Sequence, residues 1–136
     1  MKKDLLDLRV EDVIVALVPE YDDDIDGEYW DAYILNLKEE PLKMVMITSR
    51  GYGENEKGEK IETTKLRYFF DFVMPNEVYL IEPVEKTVLT MANEYWISFM
   101  YDGHMYDKKY IFVPGSVSPE HFTNVPVVNR KGVMIR

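Results

Sequence analysis

The sequence has no cysteine, which removes disulfides, thiolate nucleophiles and thiolate-bound metals together. Histidine is almost as scarce, with only His104 and His121. A zinc site would therefore need mostly carboxylate ligands, and a serine–histidine relay would need a serine in an activated setting. Gly115-Ser116-Val117-Ser118 lacks the closing glycine of a nucleophile elbow, so both histidines read as exposed turn residues. No catalytic constellation emerges, and the chain reads as a non-enzyme without a catalytic or cofactor-binding residue set. Long apolar runs are missing too. The longest, Val13 to Val18, falls far short of the roughly 20 residues that span a bilayer, so no membrane partner is expected. Behind Lys2-Lys3, the charges Asp4, Asp7, Arg9, Glu11 and Asp12 interrupt any signal-peptide core, so the expected compartment is the cytoplasm.

Positive charge is the remaining shortage. Sixteen Lys and Arg stand against twenty-five Asp and Glu, a net charge of -9. Such a field repels a phosphate backbone. Lys2-Lys3, Lys108-Lys109 and Arg130-Lys131 are too short and too interleaved with acids to reverse it, so no nucleic-acid partner is expected. Gly51-Tyr52-Gly53 is no phosphate loop either, since no Gly-Lys-Ser/Thr follows it.

Apolar residues, by contrast, are plentiful. Hydrophobic side chains make up 46% of the chain, with ten Tyr, six Phe, two Trp and eight Met. A chain of 136 residues with that supply can build one domain, 1–136, around an unaided core. β-Branched and aromatic runs separated by turn residues predict strands at 10–18, 29–38 and 42–49, then 61–73, 78–81 and 87–91. Pro19 is expected to end the first, and Glu82-Pro83 to separate the last two. Residues 51–58 read as a hairpin tip, because Gly51, Gly53 and Gly58 tolerate positive φ. Leu6, Val10, Val13, Ile14 and Leu17 also fit one helix face. Five β-branched residues among 10–18 favour a strand there, and a helical turn before residue 10 stays open.

The clearest hairpin lies further on. Tyr95, Ile97, Phe99 and Tyr101 alternate with Trp96, Ser98 and Met100, Asp102-Gly103 makes the turn, and Met105 to Val113 returns. Ser118-Pro119-Glu120 predicts one short helical turn near 118–123, opened by a capping hydroxyl. Asn129 to Gly132 reads as a turn before a last strand, Val133 to Ile135. Eight or nine consecutive antiparallel strands are too many for one flat sheet. The expected fold is all-β, an antiparallel hairpin-rich two-layer sandwich, immunoglobulin-like or a flattened barrel.

Two features bear on function. The acidic loop 20–28 contains Asp22-Asp23-Asp24-Ile25-Asp26-Gly27. Asp22, Asp24 and Asp26 thus repeat the first half of a calcium loop, while the twelfth position, where a bidentate Glu belongs, is Tyr33. Second, strands at 42–48, 66–73 and 95–101 carry large apolar groups on both faces, Phe69 opposing Phe70 and Trp96 opposing Tyr95. One face fills a core. The other needs a cover, which makes Phe69, Trp96 and Met100 a candidate interaction patch for an unknown protein partner or a homodimer.

The stretches Asn93-Glu94-Tyr95-Trp96-Ile97-Ser98-Phe99, Tyr106-Asp107-Lys108-Lys109-Tyr110-Ile111-Phe112, Val125-Pro126-Val127 and Lys131-Gly132-Val133-Met134 carry a resemblance. From about Val10 onward the chain resembles a family of small bacterial all-β proteins of similar length without an assigned activity. Some of its members are labelled as a phenylalanyl-tRNA synthetase subunit. This sequence contains no Gly-x-Gly-x-Glu-Arg stretch, and its acidity opposes tRNA, so the resemblance implies no catalytic residue. The expected function is a non-catalytic intracellular interaction module. The alternative is a protein that binds a divalent cation such as calcium, or a small ligand, through loop 20–28.

Overall fold

The computed structural model describes residues 9–21 and 28–136. Among these, the strands are β1 Val13–Tyr21, β2 Glu28–Asn36, β3 Leu42–Glu54, β4 Lys60–Glu62 and β5 Leu66–Val73. They continue with β6 Val78–Glu85, β7 Ala92–Tyr101, β8 His104–Phe112, β9 Thr123–Val125 and β10 Arg130–Ile135. All pairings are antiparallel. Sheet I has the order β6-β2-β1-β10-β9, and sheet II the order β4-β3-β7-β8. Since β7 occupies one edge of β3 from Lys43 to Tyr52, β5 takes the other edge, beside β4. Neither sheet closes on itself among the described residues, so the fold is an open all-β sandwich. No helix of the described chain is long and apolar enough to cross a membrane.

The β7–β8 hairpin forms as its alternation predicts, in register from Asn93↔Phe112 to Tyr101↔His104. Asp102 (φ 49°) and Gly103 (φ 77°) both take left-handed conformations, the turn whose twist matches the strands it joins. Elsewhere the boundaries move. β1 starts at Val13 and runs through Pro19 to Tyr21. The Pro19 carbonyl accepts from Arg130, so the missing N–H faces the same edge, away from β2, and costs no ladder bond. Gly51 and Gly53 lie within β3, and the hairpin tip is shorter. Asn55 closes it by accepting from the Lys57 and Glu59 amides, with Gly58 at φ 77°. The expected strand 61–73 breaks into β4 and β5. β6 continues through Pro83, which an edge strand permits, while 86–90 is a 3-10 turn where a strand was expected. The short turn near 118–123 is also 3-10, Pro119–His121, and the Ser118 hydroxyl donates to Glu120 instead of capping it. The last turn falls before Arg130, and β10 already begins there. The question of a helix before residue 9 lies outside the described residues.

The core sits between the sheets. Val13, Val15, Leu17 and Ile34 from sheet I meet Val45, Ile47, Tyr95, Ile97, Phe99, Tyr110 and Phe112 from sheet II. Each such side chain contributes about 2 kcal/mol on burial. Three polar ties cross this apolar layer. Asn36 Nδ2 donates to the Val73 carbonyl (3.0 Å), the Tyr110 hydroxyl donates to the Val13 carbonyl (2.6 Å), and Glu82 accepts from three hydroxyls of sheet II.

The outer faces of the two sheets differ. On sheet I, Ile14, Ala16 and Val18 face away from the main core yet are fully buried, in a second cluster with Leu35 and Val125. Val128 and Met134, from the end of the chain, pack against that cluster. Sheet II has no such cover among the described residues.

Candidate functional site

The outer face of sheet II is built by period-two alternation across four strands. Tyr95, Ile97 and Phe99 point into the core, so Trp96, Ser98 and Met100 point out. On β5, Tyr68 and Phe70 pack inward while Phe69 is exposed. Register then sets three rows: Phe69–Met46–Ser98–Asp107, Arg67–Thr48–Trp96–Lys109, and Phe72–Lys43–Met100–Met105. A register shift between Lys43 and Met46 holds Met44 at φ 51° and keeps its side chain in solvent.

The result is an apolar surface. Met44, Met46, Phe69, Phe72, Trp96 and Met105 are 56, 52, 55, 49, 44 and 54% exposed, and Met100 is half-buried among them. All three residues of the expected patch, Phe69, Trp96 and Met100, therefore lie on one face. The sequence reading missed Met44, Met46, Phe72 and Met105, although the same alternation marks all but Phe72, which it would place inward with Phe70. The Trp96 ring is held in place, its Nε1 donating to Asp107 Oδ2 (3.0 Å) and its face covered by Lys109 Nζ at 4.6 Å from the centroid. Met46, Thr48, Trp96, Ser98, Met105 and Asp107 frame a shallow hollow of about 420 Å³.

The chemistry of the other groups is mainly structural. Where β6 pairs β2, the register shifts at Ala32/Tyr33, so Ile81 and Glu82 both face inward. Strict alternation would have sent Glu82 to solvent. Instead, Glu82 Oε1 accepts from Ser49 Oγ (2.8 Å) and the Tyr68 hydroxyl (2.6 Å), and Oε2 from the Tyr95 hydroxyl (2.9 Å). Burial first, then the Glu82 carboxylate, raises the Tyr95 phenol well above its ordinary value. A cavity of about 260 Å³ adjoins this cluster, and the nearest guanidinium, Arg50, is committed to Glu62 and Glu94 at 3.0 Å each.

Asp22, Asp24 and Asp26 lie outside the described residues. At the base of their loop, Glu20 pairs with Arg130, and Asp31 accepts from the Tyr33 hydroxyl (3.3 Å). Burial and the neighbouring Glu20 carboxylate raise Asp31 above the usual carboxylate range, and burial beside both acids pushes the Tyr33 phenol up to about 12. His121 lies 3.6 Å from its sequence neighbour Glu120, and His104 opens β8. Among the described residues no three His, Cys, Asp or Glu side chains converge as metal ligands.

Compared with models of known families and with curated proteins, the chain matches none.

Proposed function

We propose that this protein is a non-catalytic protein-interaction module, acting in the cytoplasm, that docks through the outer face of sheet II. The supporting observation is the contrast between its faces. The second apolar face of β1 is covered by the chain's own end, while six large apolar side chains on sheet II stand about half exposed. A solvated antiparallel sheet face normally carries polar residues, and contiguous apolar area of this kind marks contact sites. The test replaces Trp96 with a photo-crosslinking amino acid in the cell that makes the protein. A covalent protein adduct that disappears with Phe69→Asp is expected, and the absence of any adduct overturns the proposal.

A second reading, cation or small-ligand binding by loop 20–28, has one observation in its favour. Glu20 and Asp31 bring two further carboxylates to the strands flanking Asp22, Asp24 and Asp26. Calcium calorimetry on the wild type and on Asp24→Ala plus Asp26→Ala decides it. No heat with millimolar calcium sinks that reading.

A further inference from the structure

We infer that the occupant of the sheet II face is a second copy of this chain, packed sheet to sheet about a two-fold axis that runs along β3 above Met46. This rests on the docking reading above and names the partner. The first ground is area. Six side chains of about 200 Å² each, half exposed, leave about 600 Å² of apolar surface, the top of what a monomer ordinarily shows. Adding Lys43, Thr48, Arg67, Ser98 and Met100 around them brings the face to about 800 Å², one side of a standard interface.

The second ground is self-complementarity, which a two-fold interface demands, because each residue must find its counterpart on the same surface. The first three members of each row, on β5, β3 and β7, have this property, whereas the β8 residues lie beyond the partner's β5. Phe69 and Ser98 are the two cross-strand neighbours of Met46. An axis along β3 therefore carries Phe69 of each copy over Ser98 of the other, the smallest side chain of the face, in the floor of the hollow. In the adjacent row, Arg67, Thr48 and Trp96 are neighbours in the same order, so Arg67 comes over the partner's Trp96, beside the Lys109 ammonium that covers one face of that ring. Phe72 comes over the partner's Met100, an aromatic ring against a thioether. Stacked sheets keep their strands within about 30° of one another, so the central rows hold this register.

Charge is the third ground. The chain carries a net charge of -9, which pushes two copies apart over most of the surface. In and beside these rows the signs are close to balance, Lys43, Arg67 and Lys109 against Asp71 and Asp107. This face is where two acidic copies meet with less repulsion than over the rest of the surface, the two Lys43 side chains brought together on the axis being the exception.

The absence of cysteine makes the test clean. Met46→Cys introduces the only thiol, and stacked sheets would hold two such thiols within about 10 Å across the axis, within reach of a short bismaleimide. Leu80→Cys, exposed on β6 of sheet I, is the control. Sedimentation of the wild type should give a dimer, and Phe69→Asp should weaken it about 30-fold or more. Ser98→Arg, which fills the hollow from within, should do the same. Unchanged circular dichroism in both variants excludes misfolding as the cause. Efficient linking at residue 46 and not at residue 80 supports the inference. A wild-type monomer at several hundred micromolar, with no linking in the Met46→Cys variant, overturns it, as does a dimer that survives both variants or links at residue 80. If the chain is monomeric but the Trp96 photo-crosslink still captures another protein and Phe69→Asp abolishes it, only the second copy is refuted. If that crosslink fails too, the docking reading falls with it.

Discussion

Raising the pH past about 10 should unfold this protein through its buried tyrosines. Tyr95 and Tyr110 are 1% and 0% exposed, and burial raises both phenols, Tyr95 further through Glu82. In the unfolded chain each releases its proton near pH 10, whereas in the native state each keeps it to higher pH. Above about pH 10 the unfolded state therefore binds fewer protons, and stability falls with rising pH by about 1.4 kcal/mol per unit for each tyrosine. Below about pH 10 the contribution is fully present. Two tyrosines give a slope of about 2.7 kcal/mol per unit, so about 5 kcal/mol is lost between pH 10 and 12, comparable to the whole stability of a marginal domain. Tyr33 and Tyr68 are raised as well, but solvent screens them and they add less. The assay is urea unfolding followed by circular dichroism at increasing pH, with tyrosinate absorbance recorded in parallel. Tyr95→Phe plus Tyr110→Phe should start less stable and then lose stability more slowly. A wild-type stability that stays flat from about pH 9 to 12, or a double variant that falls as steeply, refutes the reasoning.

Substitutions at three positions probe other joints of the fold. A Cβ at Gly132 would lie 2.5 Å from the Leu17 carbonyl oxygen, so Gly132→Ala should cost about 2–3 kcal/mol in thermal or chemical unfolding, and an unchanged melt contradicts the close approach of β10 to β1. Met44 is exposed at φ 51°, so Met44→Gly should stabilise by about 0.5 kcal/mol after the added freedom of the unfolded chain is subtracted, and a destabilised variant argues that its side chain is packed. Glu82→Leu leaves the buried Tyr95 hydroxyl without its acceptor and should cost about 2–4 kcal/mol, with Glu82→Gln intermediate, and equal stability of all three removes Glu82 as an inter-sheet tie.

Much of the strand content can be read from the residues, and the places where reading fails share a cause. Asp102-Gly103 between two alternating runs encodes its own turn, so β7 and β8 match expectation nearly residue by residue. Pro19 and Pro83 mislead, because a proline stops a strand only where its missing N–H would have been needed. Both sit where the partner edge makes no such demand. Residues 87–91 have the composition of a strand but pair with no strand among the described residues, and Lys86–Thr90 folds as a 3-10 turn. Glu82 illustrates a further limit. One bulged residue reverses which face it occupies, and nothing local to Glu82-Pro83 reveals that Ser49, Tyr68 and Tyr95 wait on the other sheet.

The absence of cysteine, the turn chemistry and the period-two patterns by themselves determined an antiparallel all-β chain with more apolar strand face than one core can hide, since these are local properties of the residues. Which part of that surplus stays exposed was decided only by the tertiary structure. Ile14, Ala16 and Val18 on β1 are hidden because Val125 and Val128, more than a hundred residues downstream, return to cover them. Phe69, Trp96 and Met46 carry the same pattern, but among the described residues no segment returns over sheet II. Covering a sheet face requires contacts between segments distant in sequence, and alternation along a strand carries no information about them.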